Sequence, residues 1–588
     1  MGYPGSDVGV QGARYERRRR QWTGKPPNME VWRRVPEVSL TPSDPPGAVT
    51  PPDSGLSGSN GSNGHDTATE ASSAPAEASS NGMTPEANGH PVASNGSTTV
   101  ETSPPAVTEV PPGESERTDE AVPVSPAEPV NPIERLMGFI IRKLAWSPLS
   151  NPKVAVAISG FGLLLGMVVG ATAPNPETLR WVKLPLSVLP SLLHPDAIAS
   201  TLLYTGDICT CLGLAGMLWA HSQGWRPDPR RLLLASTVVV AIMVCLTPVG
   251  SSDTASYAAY GRLAALGKNP YVSSSMLWLN AQSKPGLHNP YMQVVGFQWK
   301  SQPSVYGPVA TWIQWFAARI GGPHVATTIW VLMILNGLAF LGVGLLLLKT
   351  SKDPIRATLF WTANPVLIQQ LVGGGHFDTF VAAAAIVAIQ LARRTATRWG
   401  DIAIGVVIGL GCGIKITALL VAIGLAWPLL LRREWLRIAI MAVTAMATVA
   451  LEYSFYGLDS LKPLFEGSKW ITLPSPWWFV HGIGDELGIP EGTLSLLISV
   501  LWVTGMFVIA WFVLKRISAE QPREIVAPFA LTYAWVLMAP WVFAWYTALP
   551  WVTLAQVPRN RFSRWLTIVT VVLAIWHSSG GWVPPGRI

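Results

Sequence analysis

Past residue 134 the chain is a succession of apolar runs, and six of the short connections between them carry three Lys or Arg each. These are Arg226/Arg230/Arg231, Lys349/Lys352/Arg356, Arg393/Arg394/Arg398, Arg432/Arg433/Arg437, Lys515/Arg516/Arg523 and Arg559/Arg561/Arg564. The alternate connections carry few charges for their length or none. Apolar runs of this kind satisfy their backbone inside lipid only as helices, and Lys/Arg-rich connections stay on the cytoplasmic side. The pattern therefore predicts an all-α polytopic membrane protein of the cell membrane. Placing all six connections inside puts the N-terminus inside as well, and the C-terminus outside if the number of spans is odd.

Thirteen candidate spans lie between 154–172 and 565–577, and 402–431 and 525–557 read as pairs that form hairpins. Several are shorter than the roughly 20 residues that a perpendicular crossing needs, which brings the expectation to about 11–13 transmembrane helices. The outer face then holds the long loop 250–323, the turn at 372–378, the turn at Lys415, the loop 456–493 and the tip near 542–545.

Composition agrees. Only 13% of the 588 residues are charged, against about 25% in soluble domains, and nearly all of the 27 Trp follow residue 134. Residues 1–134 are different: basic through Arg34, then acidic with Arg117 as the lone base, and rich in Ser, Pro, Gly and Asn. Such a segment buries too little apolar surface to offset chain entropy, so 1–134 is expected as a disordered cytoplasmic tail and 135–588 as the membrane domain. Leu136, Phe139, Ile140 and Leu144 recur at helical spacing beside Arg135, Arg142 and Lys143, which fits a short helix lying in the interface. Cys209, Cys211, Cys245 and Cys412 all sit in apolar stretches and make no disulfide or zinc pattern.

Polar groups suited to chemistry gather on the expected outer face. Asp253 stands at the mouth of the third span, where a helix N-cap is the plain alternative to a catalytic acid. Tyr257, Arg262, Lys300 and Tyr306 follow in the same loop. Gly373-Gly374-Gly375-His376-Phe377-Asp378 combines close backbone approach with two groups able to bind a hydroxyl or phosphate. Lys415 interrupts two apolar runs, so it either pairs with an anion or reaches an interface. Asp207 falls inside the second span, as a functional acid or an interhelical hydrogen-bonding group. The motifs of nucleotide binding and the spacings of metal ligation are missing, and a nucleic-acid partner is not expected. Chemistry on this face then needs an activated substrate reached through the bilayer, which a lipid-linked phosphosugar supplies.

Four motifs in order carry a resemblance: Ser252-Asp253-x-x-Ser256-Tyr257; Gly267-x-Asn269-Pro270-Tyr271; Tyr306-Gly307-Pro308; and Ala363-Asn364-Pro365-Val366-Leu367-Ile368 with Gly373-Gly374-x-His376. From about 154 onward the chain is similar to the actinobacterial polyprenol-phosphate-mannose-dependent α-1,6-mannosyltransferases of lipomannan and lipoarabinomannan cores. The resemblance implies a GT-C glycosyltransferase-like bundle with a large extracytoplasmic first loop, a polyprenyl-phosphate-mannose donor, a mannan or lipoglycan acceptor, and no certain cofactor. It implies Asp253 as the catalytic base, a task that suits a carboxylate whose pKa is modestly raised by a membrane-facing cavity. Tyr257 and Tyr306 would line the sugar pocket, and Arg262, Lys300, His376 and Lys415 are candidates to meet the leaving phosphate. Asp378 stands where the family ends a His-Asn-Asp or His-Asn-Glu turn, here written His376-Phe377-Asp378. The alternatives are the same fold with another lipid-linked sugar, such as an arabinofuranosyltransferase, and a lipid-linked sugar transporter or flippase.

Overall fold

The computed structural model describes residues 148–576, apart from 173–181, 190–195, 283–289, 297–298, 468, 473–474 and 518–520. The tail 1–134 and the interfacial helix expected at 134–146 lie outside the described residues. Everything described is helix, turn or coil, with no strand among the described residues. The chain is thus a polytopic all-α membrane protein. Among the described residues, five helices are long and apolar enough to cross a membrane: α1 (Pro152–Thr172), most of α2 (Asp196–Ser222), α6 (Val325–Thr350), α11 (Trp435–Ser454) and α13 (Glu491–Arg516). Shorter helices fill the rest: α3 (Pro229–Met243), α4 (Asp253–Ala265), α5 (Pro308–Gly321), α7 (Pro354–Phe360), α8 (Asp378–Arg394), α9 (Arg398–Cys412), α10 (Leu419–Leu431), α12 (Pro476–Glu486), α14 (Arg523–Met538), α15 (Ala548–Leu554) and α16 (Phe562–Trp576).

The centre is a buried apolar core to which α4, α6, α8, α14 and α15 contribute. By contrast, α11 and α13 are only 11% and 22% buried over their most apolar stretches, so they turn apolar faces outward as lipid-facing helices do. The packing of α1 on α2 depends on small residues. A Cβ at Gly162 would lie 2.6 Å from the Gly206 carbonyl oxygen, and one at Gly206 would lie 2.9 Å from that of Gly162. In lipid, where apolar surface gives no drive to associate, backbone approach of this kind supplies the contact.

The segment 250–323 is not an open loop. It folds into α4, a short helix Ser273–Ala281, the turn Tyr291–Val294 and α5, with α4 packed against α5. The expected span 357–371 is broken. Helix α7 ends at Trp361, Asn364 accepts hydrogen bonds from the Val366 and Leu367 amides, and a π-turn follows over Ile368–Gly373. Pro365 removes a donor and Asn364 starts a new helix, so the apolar run cannot continue as one.

Two of the basic connections are stitched to neighbouring elements. Arg437 holds the fully buried Asp401 of α9 through Nε and Nη2, Arg432 Nη1 reaches Glu524 of α14 at 2.8 Å, and Arg559 reaches Asp353 at 3.3 Å. The 432–437 connection thereby meets α9 and the start of α14, and the 559–564 connection meets 349–356. The four cysteines are free.

Gly162→Leu should force α1 from α2 and lower stability by about 1–3 kcal/mol, the usual range for overpacking. Gly160→Leu, where nothing lies within 4 Å of an added Cβ, should leave it nearly unchanged. Thermal unfolding of the detergent-solubilised protein measures both.

Candidate active site

Asp253 is the first residue of α4, with Ser252 in the cap position making no side-chain cap. Its amide takes the Ser251 hydroxyl instead, at 3.1 Å. The carboxylate is therefore not spent on the helix end. It points across to Tyr257, one turn on, whose hydroxyl donates to Oδ2 at 3.2 Å. The spacing of four residues puts both groups on one helix face. Tyr257 also shares a hydrogen with the Tyr306 hydroxyl at 2.9 Å, which brings the end of the 250–323 segment back onto its beginning.

His376 closes the second side. Its Nδ1 lies 3.3 Å from Asp253 Oδ2, at ion-pair distance but off the axis of a formed hydrogen bond, so a small rotation completes or breaks the contact. The turn that presents it needs Gly375, at φ +69, where a Cβ would strike Thr254 of α4. Asn336 of α6 fastens the turn by donating to the His376 carbonyl at 2.6 Å. The imidazole lies flat on Trp545 at 3.8 Å between centroids and 11° between planes. Phe543 stacks on the far side of Trp545, at 4.6 Å and 4°.

Lys415 and Asp378 form the third side. The ammonium meets both carboxylate oxygens of Asp378, at 3.0 and 3.1 Å, with 13% and 8% of the two side chains exposed. It also sits 3.7 Å over the Tyr546 ring. Phe377, between His376 and Asp378, packs its ring on Tyr257 at 4.5 Å and lies edge-on to Tyr306 at 6.0 Å.

Electrostatics follows from this crowd. Burial pushes the Asp253 carboxyl up, but the contact with His376, the charge of Lys415 and the Tyr257 hydroxyl together outweigh it, and the net shift is below the ordinary value of 3.8. This corrects the expectation of a raised pKa: the cavity dehydrates the carboxylate, and its neighbours more than compensate. With 29% of its side chain exposed, Asp253 is an ionised, reachable carboxylate.

Six of the residues expected from sequence thus assemble: Asp253, Tyr257, Tyr306, His376, Asp378 and Lys415. The other two do not join them. Arg262 sits over the Tyr291 ring, 5.6 Å from its centroid, with Nε buried and unpaired. Lys300 is half-buried in a turn, next to Trp299, which packs edge-on to Trp470. Trp545, Tyr546 and Asn336 went unnoticed. The position of the tip near 542–545 was the signal available for the first two, while nothing marks Asn336 in the middle of an apolar helix. Asp207 is an interhelical hydrogen-bonding group, accepting from Gln370 Nε2 of the π-turn at 3.4 Å. Asn269 makes the expected turn, taking the Tyr271 amide, and also donates to the Tyr456 carbonyl.

Removing the ammonium by Lys415→Met leaves Asp378 buried without a partner, which costs about 3–5 kcal/mol. Adding Asp378→Asn to that variant should restore a large part of it. Unfolding of the two single variants and the double variant gives the coupling.

Residues 156–431 match the family model described as alpha-(1->6)-mannopyranosyltransferase, N-terminal domain. An α-(1→6)-mannopyranosyltransferase B of Corynebacterium glutamicum is 25% identical over 356 residues, covering 55% of this chain and 58% of that protein. A probable α-(1→6)-mannopyranosyltransferase of Mycolicibacterium smegmatis is 24% identical over 274 residues, 45% of this chain and 44% of its own. An α-(1→6)-mannopyranosyltransferase A of Mycobacterium tuberculosis is 25% identical over 421 residues, 66% and 77%. The chain spans about half the length of the first two. No solved structure matches. Residues 156–431, the stretch that matches this family model, contain Asp253, Tyr257, Tyr306, His376, Asp378 and Lys415, and the chain is similar at modest identity to α-1,6-mannosyltransferases A and B.

Proposed function

We propose that the chain is a membrane glycosyltransferase that moves mannose from a polyprenyl-phosphate-mannose donor to a mannan or lipoglycan acceptor, in α-1,6 linkage, on the extracytoplasmic face. The observation that carries this reading is the convergence of an ionised, reachable carboxylate with a buried ammonium beside an apolar groove. Lys415 stands between Cys412 and Ile416, and both of these line a cavity of about 800 Å³ walled by α9, α10 and α11. The walls are almost wholly aliphatic, with Leu419, Met441 and Val449 among them. A prenyl chain fits that chemistry, and a phosphate at its end arrives next to Lys415. Support for the outer face comes from the six basic connections, which the positive-inside rule assigns to the cytoplasm.

In the step itself, the acceptor hydroxyl oxygen attacks the anomeric carbon of mannose. Its proton passes to Asp253 as the new C–O bond forms. The bond from the anomeric carbon to the phosphate oxygen breaks, and the polyprenyl phosphate departs with the electron pair from the opposite face. A β-linked donor then gives an α-linked product. A carboxylate with a lowered pKa is a weak base, but the attacking hydroxyl becomes acidic as its oxygen bonds to carbon, so proton transfer late in the step suffices. Lys415, released from Asp378, and His376 supply cationic or N–H partners where phosphate charge develops. Tyr257, Tyr306 and Phe377 make the aromatic wall against which a sugar ring packs.

Asp253→Asn should lower turnover by at least about 100-fold, the usual worth of a positioned general base, in protein that still inserts and folds. The assay is mannosyl transfer by the reconstituted protein, run in parallel with the lipid-linked mannose, a lipid-linked arabinofuranose and a nucleotide-linked mannose. Transfer from the nucleotide sugar alone, or undiminished turnover in Asp253→Asn, overturns the reading. The pH profile adds a sign test. A depressed pKa keeps Asp253 ionised down to and below its ordinary value of 3.8, so activity and the stability Asp253 contributes persist as pH falls toward that value and are lost only beneath it. In His376→Gln, where a large lowering influence is gone, the acidic limb should move upward.

A further inference from the structure

The end of the bundle where the basic connections meet holds a second cavity, of about 620 Å³, that shares no residue with the candidate active site. It opens between the C-terminal half of α2, helix α7 and the start of α16. Arg356, Arg559, Arg561 and Arg564 line it together with His221, and no acid does so among the described residues. Its His221 lies roughly 20 Å along α2 from Asp207, which contacts the π-turn beside the candidate site.

Two of its polar groups are buried and unsatisfied. Arg356 is 4% exposed; its Nη1 donates to the Leu554 and Val557 carbonyls and its guanidinium lies 4.3 Å from the Phe360 ring centre, but Nη2 has no partner. His221 is 6% exposed, with Nδ1 on the Trp225 carbonyl at 3.0 Å, and its Nε2 has no partner either. A buried guanidinium N–H left without an acceptor costs more than an ordinary lost hydrogen bond, so the arrangement calls for an anionic oxygen. The rest of the wall is aliphatic: Leu212 and Ala215 from α2, Ile568 from α16. An anion that belongs here therefore has an apolar part alongside it.

We propose that this cavity binds one anionic phospholipid, its phosphate held by Arg356 and the exposed Arg561 and Arg564, its acyl chains against α2 and α16. His221 meets the same headgroup through Nε2. The site is separate from the donor groove in position and in chemistry: one is lined by four arginines, the other by no charged residue. Basic pockets between membrane helices on the cytoplasmic side are a recurring way to hold acidic lipids.

The test uses the full chain, purified in detergent and stripped of lipid. Native mass spectrometry counts bound phosphatidylglycerol and phosphatidylcholine, and thermal unfolding is followed with each lipid and with inorganic phosphate. Phosphatidylglycerol should be retained in preference to phosphatidylcholine and should raise the unfolding temperature. The double variant R561Q/R564Q removes two exposed side chains and should fold as wild type in phosphatidylcholine, yet bind phosphatidylglycerol at least about tenfold more weakly, as expected for lost charge-assisted contacts. Arg356→Gln should abolish the preference. Equal stabilisation by both lipids, or an unchanged preference in R561Q/R564Q, overturns the proposal. Stabilisation by inorganic phosphate equal to that by phosphatidylglycerol also overturns it, since the site would then hold a free anion and no lipid.

Discussion

A carboxylate among apolar helices loses its hydration, and it stays ionised only where neighbours replace what water gave. That requirement organises the molecule around Asp253. Tyr257 reaches it from one helical turn away, His376 from a separate turn held by Asn336 and Gly375, and Lys415 adds its charge from a third element. Each of these groups is in turn held: Tyr257 by Tyr306, His376 by the Trp545 ring, Lys415 by Asp378. The scaffold's long helices serve to bring four distant stretches of chain to one place. The π-turn over Ile368–Gly373 and the broken run before it are the local cost of aiming His376 at α4 instead of letting the helix continue.

The geometry also gives the His376-Phe377-Asp378 turn a physical reading. Phe377 carries no polar atom, and its ring completes a wall with Tyr257 and Tyr306. An amide at that place would need partners in a surface otherwise made of ring faces and two shared hydroxyls. Under the proposed function, this wall recognises a sugar by stacking, while orientation of its hydroxyls falls to Asp253 and His376.

Charge placement made much of this legible in the sequence. Periodicity and the basic connections were enough for an all-α membrane bundle, because lipid allows few other solutions for the backbone. They also put Asp253, His376 and Lys415 on one side before any contact was known. Legibility failed where the signal was tertiary. Residues 250–323 look like a loop by hydropathy, yet α4 and α5 form because they bury Ala, Gly and Tyr against each other, which no transfer scale registers. The run 357–371 looked continuous, although Asn364-Pro365 was a written warning of a restart. The direction of the Asp253 shift came out opposite to expectation, because dehydration is readable from an apolar context and the approach of His376 and Lys415 across more than a hundred residues is not.

The two ends of the bundle handle charge in opposite ways. Around Asp253 the groups engage one another at short range, the Lys415 ammonium on the Asp378 carboxylate and Asp253 against Tyr257 and His376. At the other end, Arg356, Arg559, Arg561 and Arg564 line one cavity, and Asp353 lies within reach of Arg559. Like charges held this close repel unless an anion lies among them, and the cost grows where burial removes water. Under the two proposals, the membrane contributes negative headgroups to that rim and is also the route by which a lipid-linked sugar arrives.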